Sequence, residues 1–423
     1  MTWYQYLLEY NRYCNLIGIF FILFIAILFS RKRAAINYKL IVNGLILQFV
    51  LAYLVLRTTI GHSIIAAVAE VVKKLYVCAD QGASFLFGNL ANANTPWGFI
   101  FAIKVLPIII FFGALMALLF HWGIVQKCVY AVSLLVRPVL GTSGAETLCA
   151  IANSFLGQTE APLLIRNYLK NMTRSELLVV MISGMGTISG AILAVFAAMG
   201  VPAEHLLSAS VMAIPGTILI AKILYPETEE THTGTNVQIE YEGETKNIFD
   251  AISTGTTDGL YLALNVGAML ISFLSLLALV NLSLEQIAIY INAGLAYVAI
   301  PFQLPTLNLS IIFSYLFAPF GYLLGFTGTE ALKAGELLGI KVTVNELVAY
   351  AQMLDMHLSE RAISILTYAL CGFSNFSCIG IQIGGIGALV PEKRQWLCEF
   401  GLLTVLGSSL SNLLSAMIAG LLL

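Results

Sequence analysis

Two short polar runs interrupt a chain that is otherwise apolar, and their side chains are of the kind that holds a small polar molecule. The first is Asn153-Ser154-Phe155-Leu156-Gly157-Gln158-Thr159-Glu160-Ala161-Pro162. Gln158, Thr159 and Glu160 combine donors, several acceptors and one charge, a set that suits the edge of a planar polar ligand. A purely structural reading competes: Thr159 caps a following half-helix, Glu160 complements its dipole, and Pro162 sits in the first turn. The cluster exceeds what a cap requires. Burying such groups in hydrocarbon is costly unless they face protein, water or a ligand.

The second run is centred on Glu346, with Asn375, Ser377 and Cys378 a little further on. Free donors there reach hydroxyl groups such as those of a sugar, whereas the alternative is helix packing through small polar residues. Glu346 also has a local alternative, because Thr343-Val344-Asn345-Glu346 fits the S/T-x-x-E capping box. Asn153 and Thr187 offer a side-chain carbonyl and a hydroxyl, beside main-chain carbonyls expected to be freed at Leu156 and Ile188. Hard oxygen donors of this sort suit a small hard cation, and helix–helix hydrogen bonding is the other reading. Lys104 and Arg361 read as snorkelling or paired side chains rather than ligand contacts.

These residues must be positioned by membrane-spanning elements. Of 423 residues, 59% are hydrophobic and 10% charged, and the mean hydropathy is +0.89; a soluble domain carries about 25% charged residues. The net charge of −2 and the lack of a basic arm give no reason to expect a nucleic-acid partner. Seven cysteines without CxxC spacing read as small buried hydrophobes, and five scattered histidines offer no HExxH. Met1–Tyr13 lacks the pattern of a cleaved signal peptide. A span needs about 20 apolar residues, and eight are expected: Asn15–Ser30, Lys39–Leu56, Gly98–Trp122, Leu177–Gly200, Leu206–Tyr225, Gly259–Val280, Ala362–Leu389 and Leu402–Leu422. Arg31-Lys32-Arg33 puts the end of the first in the cytoplasm. Ile64–Leu75, Val125–Leu140 and Leu284–Ile300, the last ending at Pro301 and Pro305, read as interfacial helices. Residues 226–250, with six glutamates, form the one long polar segment.

Leu148–Leu156 and Ala161–Ile165 are too short to span, so with the polar tip between them they read as a re-entrant hairpin. Leu309–Leu324, Gly325–Leu338, a tip near Gly339–Val344 and Asn345–Met353 read as a second. Each hairpin precedes a span broken mid-membrane, at Gly184–Gly190 and at Ser374–Ser377. Glu160 to Ser189 and Glu346 to Asn375 are both 29 residues. The positive-inside rule sends the two hairpins in from opposite sides. The fold expected is an all-α integral membrane protein with eight transmembrane helices and two re-entrant helical hairpins in an inverted repeat with broken helices, plus interfacial helices. That is the organisation of a secondary transporter. Residues 1–140 supply the first spans and part of a scaffold. Residues 141–225 and 306–423 form the two repeat halves, and 226–305 hold the polar loop, a span and an interfacial helix.

Four stretches resemble the concentrative nucleoside transporters of the bacterial NupC type: Gly157–Leu163, Leu262–Leu270, Asn345–Tyr350 and Thr367–Ser377. The resemblance covers roughly residues 100–423. It implies a homotrimer in the bacterial inner membrane that imports nucleosides such as uridine with sodium, a transport domain moving like an elevator against a trimeric scaffold. By position it also implies that Gln158, Thr159 and Glu160 address the base, that Glu346 and Asn375 with Ser377 or Cys378 address the ribose, and that Phe373 packs on the nucleoside. Asn153, Leu156, Thr187 and Ile188 would hold sodium. Many relatives have Ser where Cys378 stands. Proton coupling through Glu160 or Glu346 is the alternative within transport. An intramembrane hydrolase would need a nucleophile–base pair, and neither GxSxG nor HExxH occurs in a span. Two opposed hairpins would occlude a continuous pore.

Overall fold

A computed structural model describes residues 3–92, 96, 100–231, 233, 245–298 and 307–423. Every regular element among the described residues is a helix, as a chain in lipid requires when each backbone polar group must be satisfied within its own segment. Among the described residues, seven helices are long and apolar enough to cross a bilayer: Tyr4–Leu28, Tyr38–Arg57, Phe101–His121, Arg174–Met199, Ala203–Leu224, Ile248–Tyr297 and Pro391–Leu422. The remaining expected span is present as two short helices, Glu360–Leu370 and Phe376–Leu389, on either side of a break.

Burial divides these helices into two sets. The apolar windows of Arg174–Met199, Ala203–Leu224 and Pro391–Leu422 are each 89% buried, against 22% for Phe101–His121 and 6% for Ile248–Tyr297. The first set forms an inner bundle whose side chains pack on one another. The second leaves most of its apolar side chains exposed on this chain. Phe101–His121 and Ile248–Tyr297 pack on each other through small residues. A Cβ on Gly113 would lie 2.6 Å from the Gly255 carbonyl oxygen, so the two backbones meet only because no side chain stands there.

Both hairpins form. The first runs through the helix Gly144–Ala152, an irregular tip, and a 3-10 turn at Ala161–Ile165. The second is Gly328–Thr343 followed by Glu346–Asp355, bent 114° from the preceding Leu309–Leu323. Its tip is only Val344-Asn345, shorter than the Gly339–Val344 expected, because the helix continues through Gly339 to Thr343 and packs that glycine on Phe313. The broken helices also form, interrupted at Thr187-Ile188-Ser189 and at 371–375.

Three expectations are corrected. Gly259–Val280 and the stretch from Leu284 to Tyr297 are parts of one 50-residue helix, Ile248–Tyr297, roughly 75 Å long and so far longer than the ~30 Å hydrocarbon core. The amphipathic stretch Ile64–Leu75 lies inside a 29-residue helix, Thr59–Phe87, started by a Thr58 cap. Cys149, Cys371 and Cys378 are buried as expected, but Cys78, Cys128 and Cys398 are exposed on outward faces, and Cys14 lies between. Pro301, Pro305 and residues 234–244 of the polar segment lie outside the described residues.

Candidate functional site

Each hairpin tip is held by capping. Hairpin 1 begins with a capping box: the Glu146 amide donates to Ser143 Oγ at 3.5 Å, and the Ser143 amide to Glu146 Oε1 at 2.8 Å. Glu146 is buried, and its other oxygen lies 2.8 Å from Lys222 Nζ, which ties the root of the hairpin to Ala203–Leu224. At the tip Glu160 Oε2 accepts from the Gly157 amide at 3.3 Å. Hairpin 2 turns on Asn345, whose Oδ1 accepts from the Val348 amide at 2.9 Å. The capping box anticipated at Thr343 does not form: Thr343 Oγ1 donates back to the Gly339 carbonyl at 2.8 Å. Glu346 is thereby released from capping, and its Oε2 accepts from Asn375 Nδ2 at 3.1 Å.

Asn375 is itself a cap. Its Oδ1 starts the helix Phe376–Leu389 by accepting from the Cys378 amide at 3.1 Å, and it also accepts from Ser377 Oγ at 2.6 Å. Glu346, Asn375 and Ser377 thus form one chain of hydrogen bonds linking the second hairpin to the second broken helix. In the first repeat Ser189 occupies the matching position and caps Gly190–Met199 through the Ile192 amide.

A cavity of about 640 Å³ lies where the two tips face Ile248–Tyr297 and Phe101–His121. Gln158, Thr159, Glu160, Glu346, Phe373, Asn375, Ser377 and Cys378 all line it. The rest of its wall is mainly apolar, with Phe112, Met116, Phe155, Ile192 and Phe196 among its members. Gln158 Oε1 is buried with no hydrogen-bond partner among the described residues. The volume suits a small-molecule site, and the mix of apolar wall and few convergent polar groups is what such sites show. Further polar residues reach it, among them Ser189, Asn345, and Asp258 and Asn265 of the long helix. An aspartate inside an apolar 50-residue helix was the available signal for Asp258.

Asn153 and Thr187 come together away from the cavity wall. Thr187 Oγ1 donates to the carbonyls of Asn153 at 2.9 Å and Ser183 at 2.8 Å, and Asn153 Nδ2 donates to Ser183 Oγ at 2.9 Å. Asn153 Oδ1 is buried with no partner, and no hydrogen bond ends on the carbonyls of Leu156 or Ile188 among the described residues. Both residues are buried. Ser183, which no sequence motif singles out, sits at the centre of this group. Lys104 is paired with Asp80 at 2.6 Å, and Arg361 donates to the Gly420 carbonyl at 2.7 Å.

Three family models together span most of the chain. "Na+ dependent nucleoside transporter C-terminus" matches residues 205–420, "Na+ dependent nucleoside transporter N-terminus" residues 17–90, and "Gate: Nucleoside recognition" residues 102–203. The nucleoside permease NupC of Helicobacter pylori is 39% identical over 418 residues, covering 96% of this chain and 97% of that one. The chain belongs to the concentrative nucleoside transporter family. This transporter is also 35% identical over 420 residues to sodium/nucleoside cotransporter 2 of Mus musculus, covering 95% of its own length and 61% of the mouse protein. Among solved structures, CNTnw in an inward-facing substrate-bound state matches with a TM-score of 0.88 at 36% identity over 97% of both chains. Variants of CNTnw in outward-facing and intermediate states match equally well, at 0.88 to 0.90. The chain is a multi-pass membrane transporter, and its relatives are transporters and permeases rather than enzymes.

Proposed function

We propose that this transporter imports nucleosides by symport with sodium, binding the substrate in the cavity between the hairpin tips. The observation that carries the reading is the convergence of both tips and the second broken helix on that one cavity, with the buried Gln158 Oε1 still lacking a donor. A nucleobase supplies such a donor at its edge, beside Thr159 and Glu160. Ribose hydroxyls match the carboxylate of Glu346 and the amide of Asn375, since a hydroxyl donates to the first and accepts from the second. Ser377 and Cys378 stand beside them, and Phe373 offers a face on which the nucleoside packs.

Sodium fits the group around Asn153. An orphaned amide oxygen, a hydroxyl and the unused lone pairs of the buried Leu156 and Ile188 carbonyls are neutral hard donors, the set that unwound transporter helices offer a coupling ion. Asn153 lies only five positions before Gln158 on the same hairpin. An ion drawing in Asn153 Oδ1 and the Leu156 carbonyl would stiffen the tip that addresses the base. Sodium then binds first and raises nucleoside affinity by lowering the ordering entropy left for the substrate to cover.

The same reading assigns the inner bundle, with residues 141–225 and 306–423, to a transport domain that moves as one body. Phe101–His121 and Ile248–Tyr297 belong to a scaffold whose outward apolar faces meet the other protomers of a homotrimer. Labelled uridine uptake into proteoliposomes, with and without an inward sodium gradient, tests the function. Uptake that responds to the gradient supports symport. Gradient-independent uptake removes sodium, and no uptake of any nucleoside removes the substrate reading.

A further inference from the structure

The long helix Ile248–Tyr297 carries one charge through its apolar run, and brings it to the cavity. Between Asp250 and Glu285 the only charged residue is Asp258. Asp258, Leu262 and Asn265 recur at the spacing of one helix face, and all three line the cavity. Glycines on either side of Asp258 fix the rotation of that face. A Cβ on Gly255 would lie 2.5 Å from the Gly113 carbonyl oxygen, and one on Gly259 would lie 2.8 Å from the Ile110 Cα. The helix therefore meets Phe101–His121 backbone to backbone, which leaves Asp258 little freedom to turn away. A carboxylate inside a spanning helix is retained where it faces water, a partner or a ligand.

The part of the cavity that Asp258 joins is the tip of hairpin 1. Asp258 stands close enough to Glu160 for their charges to interact. Glu160 is held at the tip by the Gly157 amide on Oε2. Gln158 is 7% exposed, and its Oε1 has no partner among the described residues. This end of the cavity thus gathers two carboxylates and an orphaned amide oxygen, all of them acceptors. Neighbouring carboxylates repel unless something positive or hydrogen-bearing stands between them. A carbonyl oxygen placed there meets only oxygens, whereas an amino group gives one hydrogen to each of two acceptors.

We propose that Asp258 is a specificity-determining residue which, with Glu160 and Gln158 Oε1, selects nucleosides whose base carries an exocyclic amino group. Cytidine and adenosine are then favoured over uridine and inosine, their counterparts with an oxo group in its place. The inference rests on the nucleoside reading of the cavity and adds the chemistry of the base to it. Uridine remains a substrate, because its ring N–H donates to one carboxylate, but its neighbouring carbonyl then faces the other. The selection reads amino against oxo and is indifferent to the size of the ring system.

Competition against labelled cytidine uptake, in proteoliposomes holding the wild-type transporter, tests this without any variant. Cytidine should inhibit at about one tenth the concentration that uridine requires, and adenosine at about one tenth that of inosine. Equal inhibition within each pair, or a preference for the oxo member, would overturn the inference and leave the nucleoside reading standing. Uptake of neither labelled cytidine nor labelled uridine would overturn both. Asp258→Asn keeps the shape and replaces one acceptor oxygen by a donor, so both ratios should fall from about ten to about two or less. Asp258→Glu keeps the carboxylate and should leave the amino member of each pair ahead. A purely structural role would shift all four nucleosides together, so wild-type ratios in Asp258→Asn would overturn the role of Asp258. Each ratio is taken on one preparation and does not depend on how much of the variant assembles.

Discussion

The two repeats share a backbone plan and differ in what they leave unsatisfied. Each has a hairpin tip bearing a glutamate and a broken helix restarted by a cap, Ser189 in one and Asn375 in the other. In the first repeat Glu160 turns inward to its own tip, and Asn153 keeps a buried oxygen with no partner among the described residues. In the second, Glu346 reaches across to Asn375, and Lys341 and Asn412 use up the carbonyls freed by the break. An unpaired buried acceptor costs about 1–3 kcal/mol, a cost that the proposed sodium ion would offset at Asn153 Oδ1. Around the second break the chain itself takes up the Ala369 and Cys371 carbonyls, while Gln352 Oε1 and Gln382 Oε1 elsewhere in that repeat have no partner among the described residues.

The comparison breaks most readily at Glu346. Glu346→Gln keeps the size but removes the charge that accepts from Asn375 and that, on the proposed reading, accepts from the ribose. A hydrogen bond to a charged group contributes about 1.5–3 kcal/mol, so uptake at low nucleoside should fall about 100-fold, while size-exclusion chromatography shows an unchanged trimer. A variant that misassembles yet transports normally per folded trimer would make the carboxylate a structural residue only.

Asn153 is the matching point in the first repeat. Asn153→Ala removes the orphaned oxygen and should raise the sodium concentration for half-maximal uptake about tenfold, the equivalent of ~1.4 kcal/mol. Nucleoside binding measured without sodium should be nearly unchanged. If the variant instead loses nucleoside binding in the absence of sodium, Asn153 serves the tip directly.

How much of this was legible in the sequence depended on the range of the interaction. The hairpins and breaks were legible because polar groups persist in an apolar run only where protein, water or a ligand meets them. The 29-residue spacing announced the repeat for the same reason. The break expected between Val280 and Leu284 does not exist. Ser283 Oγ folds back on the Leu279 carbonyl, and Asn281 Oδ1 caps Leu309, 28 residues on. Local polarity was mistaken for a helix end because its partner was tertiary. The capping boxes show the same limit. Thr343-x-x-Glu346 has the pattern but Asn345 takes the cap, whereas Ser143–Glu146 and Thr173–Glu176 form real boxes at helix starts. Lys341 and Asn412 are 71 residues apart, and no periodicity announces such a pair.

Packing between the repeats gives a smaller effect. A Cβ on Gly184, in the first broken helix, would lie 2.6 Å from Gln382 Nε2 and 3.1 Å from the Gln158 Cβ, whereas nothing lies within 4 Å of one on Gly380, in the second. Gly184→Ala therefore pushes on Gln158, the side chain proposed to address the base, and overpacking of this kind costs about 1–3 kcal/mol. The KM for uridine should rise about five- to tenfold, with the sodium dependence little altered. Gly380→Ala should transport like wild type. Equal effects of the two would place the cost in helix flexibility rather than in the Gln158 contact.

The finest test concerns Cys378, where the second repeat presents a thiol to the cavity beside Ser377 and Asn375. A thiol is a weak donor and acceptor, so on the proposed reading it adds little to a ribose hydroxyl that Glu346 and Asn375 would already serve. Cys378→Ser exchanges it for a hydroxyl of similar shape with its backbone amide still donating to Asn375 Oδ1. One added neutral hydrogen bond contributes about 0.5–1.5 kcal/mol, offset by burying a more polar group at a position that is 3% exposed. The net change should be a two- to threefold fall in the KM for uridine and none in the KM for the 2′,3′-dideoxy analogue, which lacks the hydroxyls. That difference between substrates separates a ribose contact from a general change in cavity polarity. An equal shift for both would remove Cys378 from the sugar subsite and leave Glu346 and Asn375 as its polar wall.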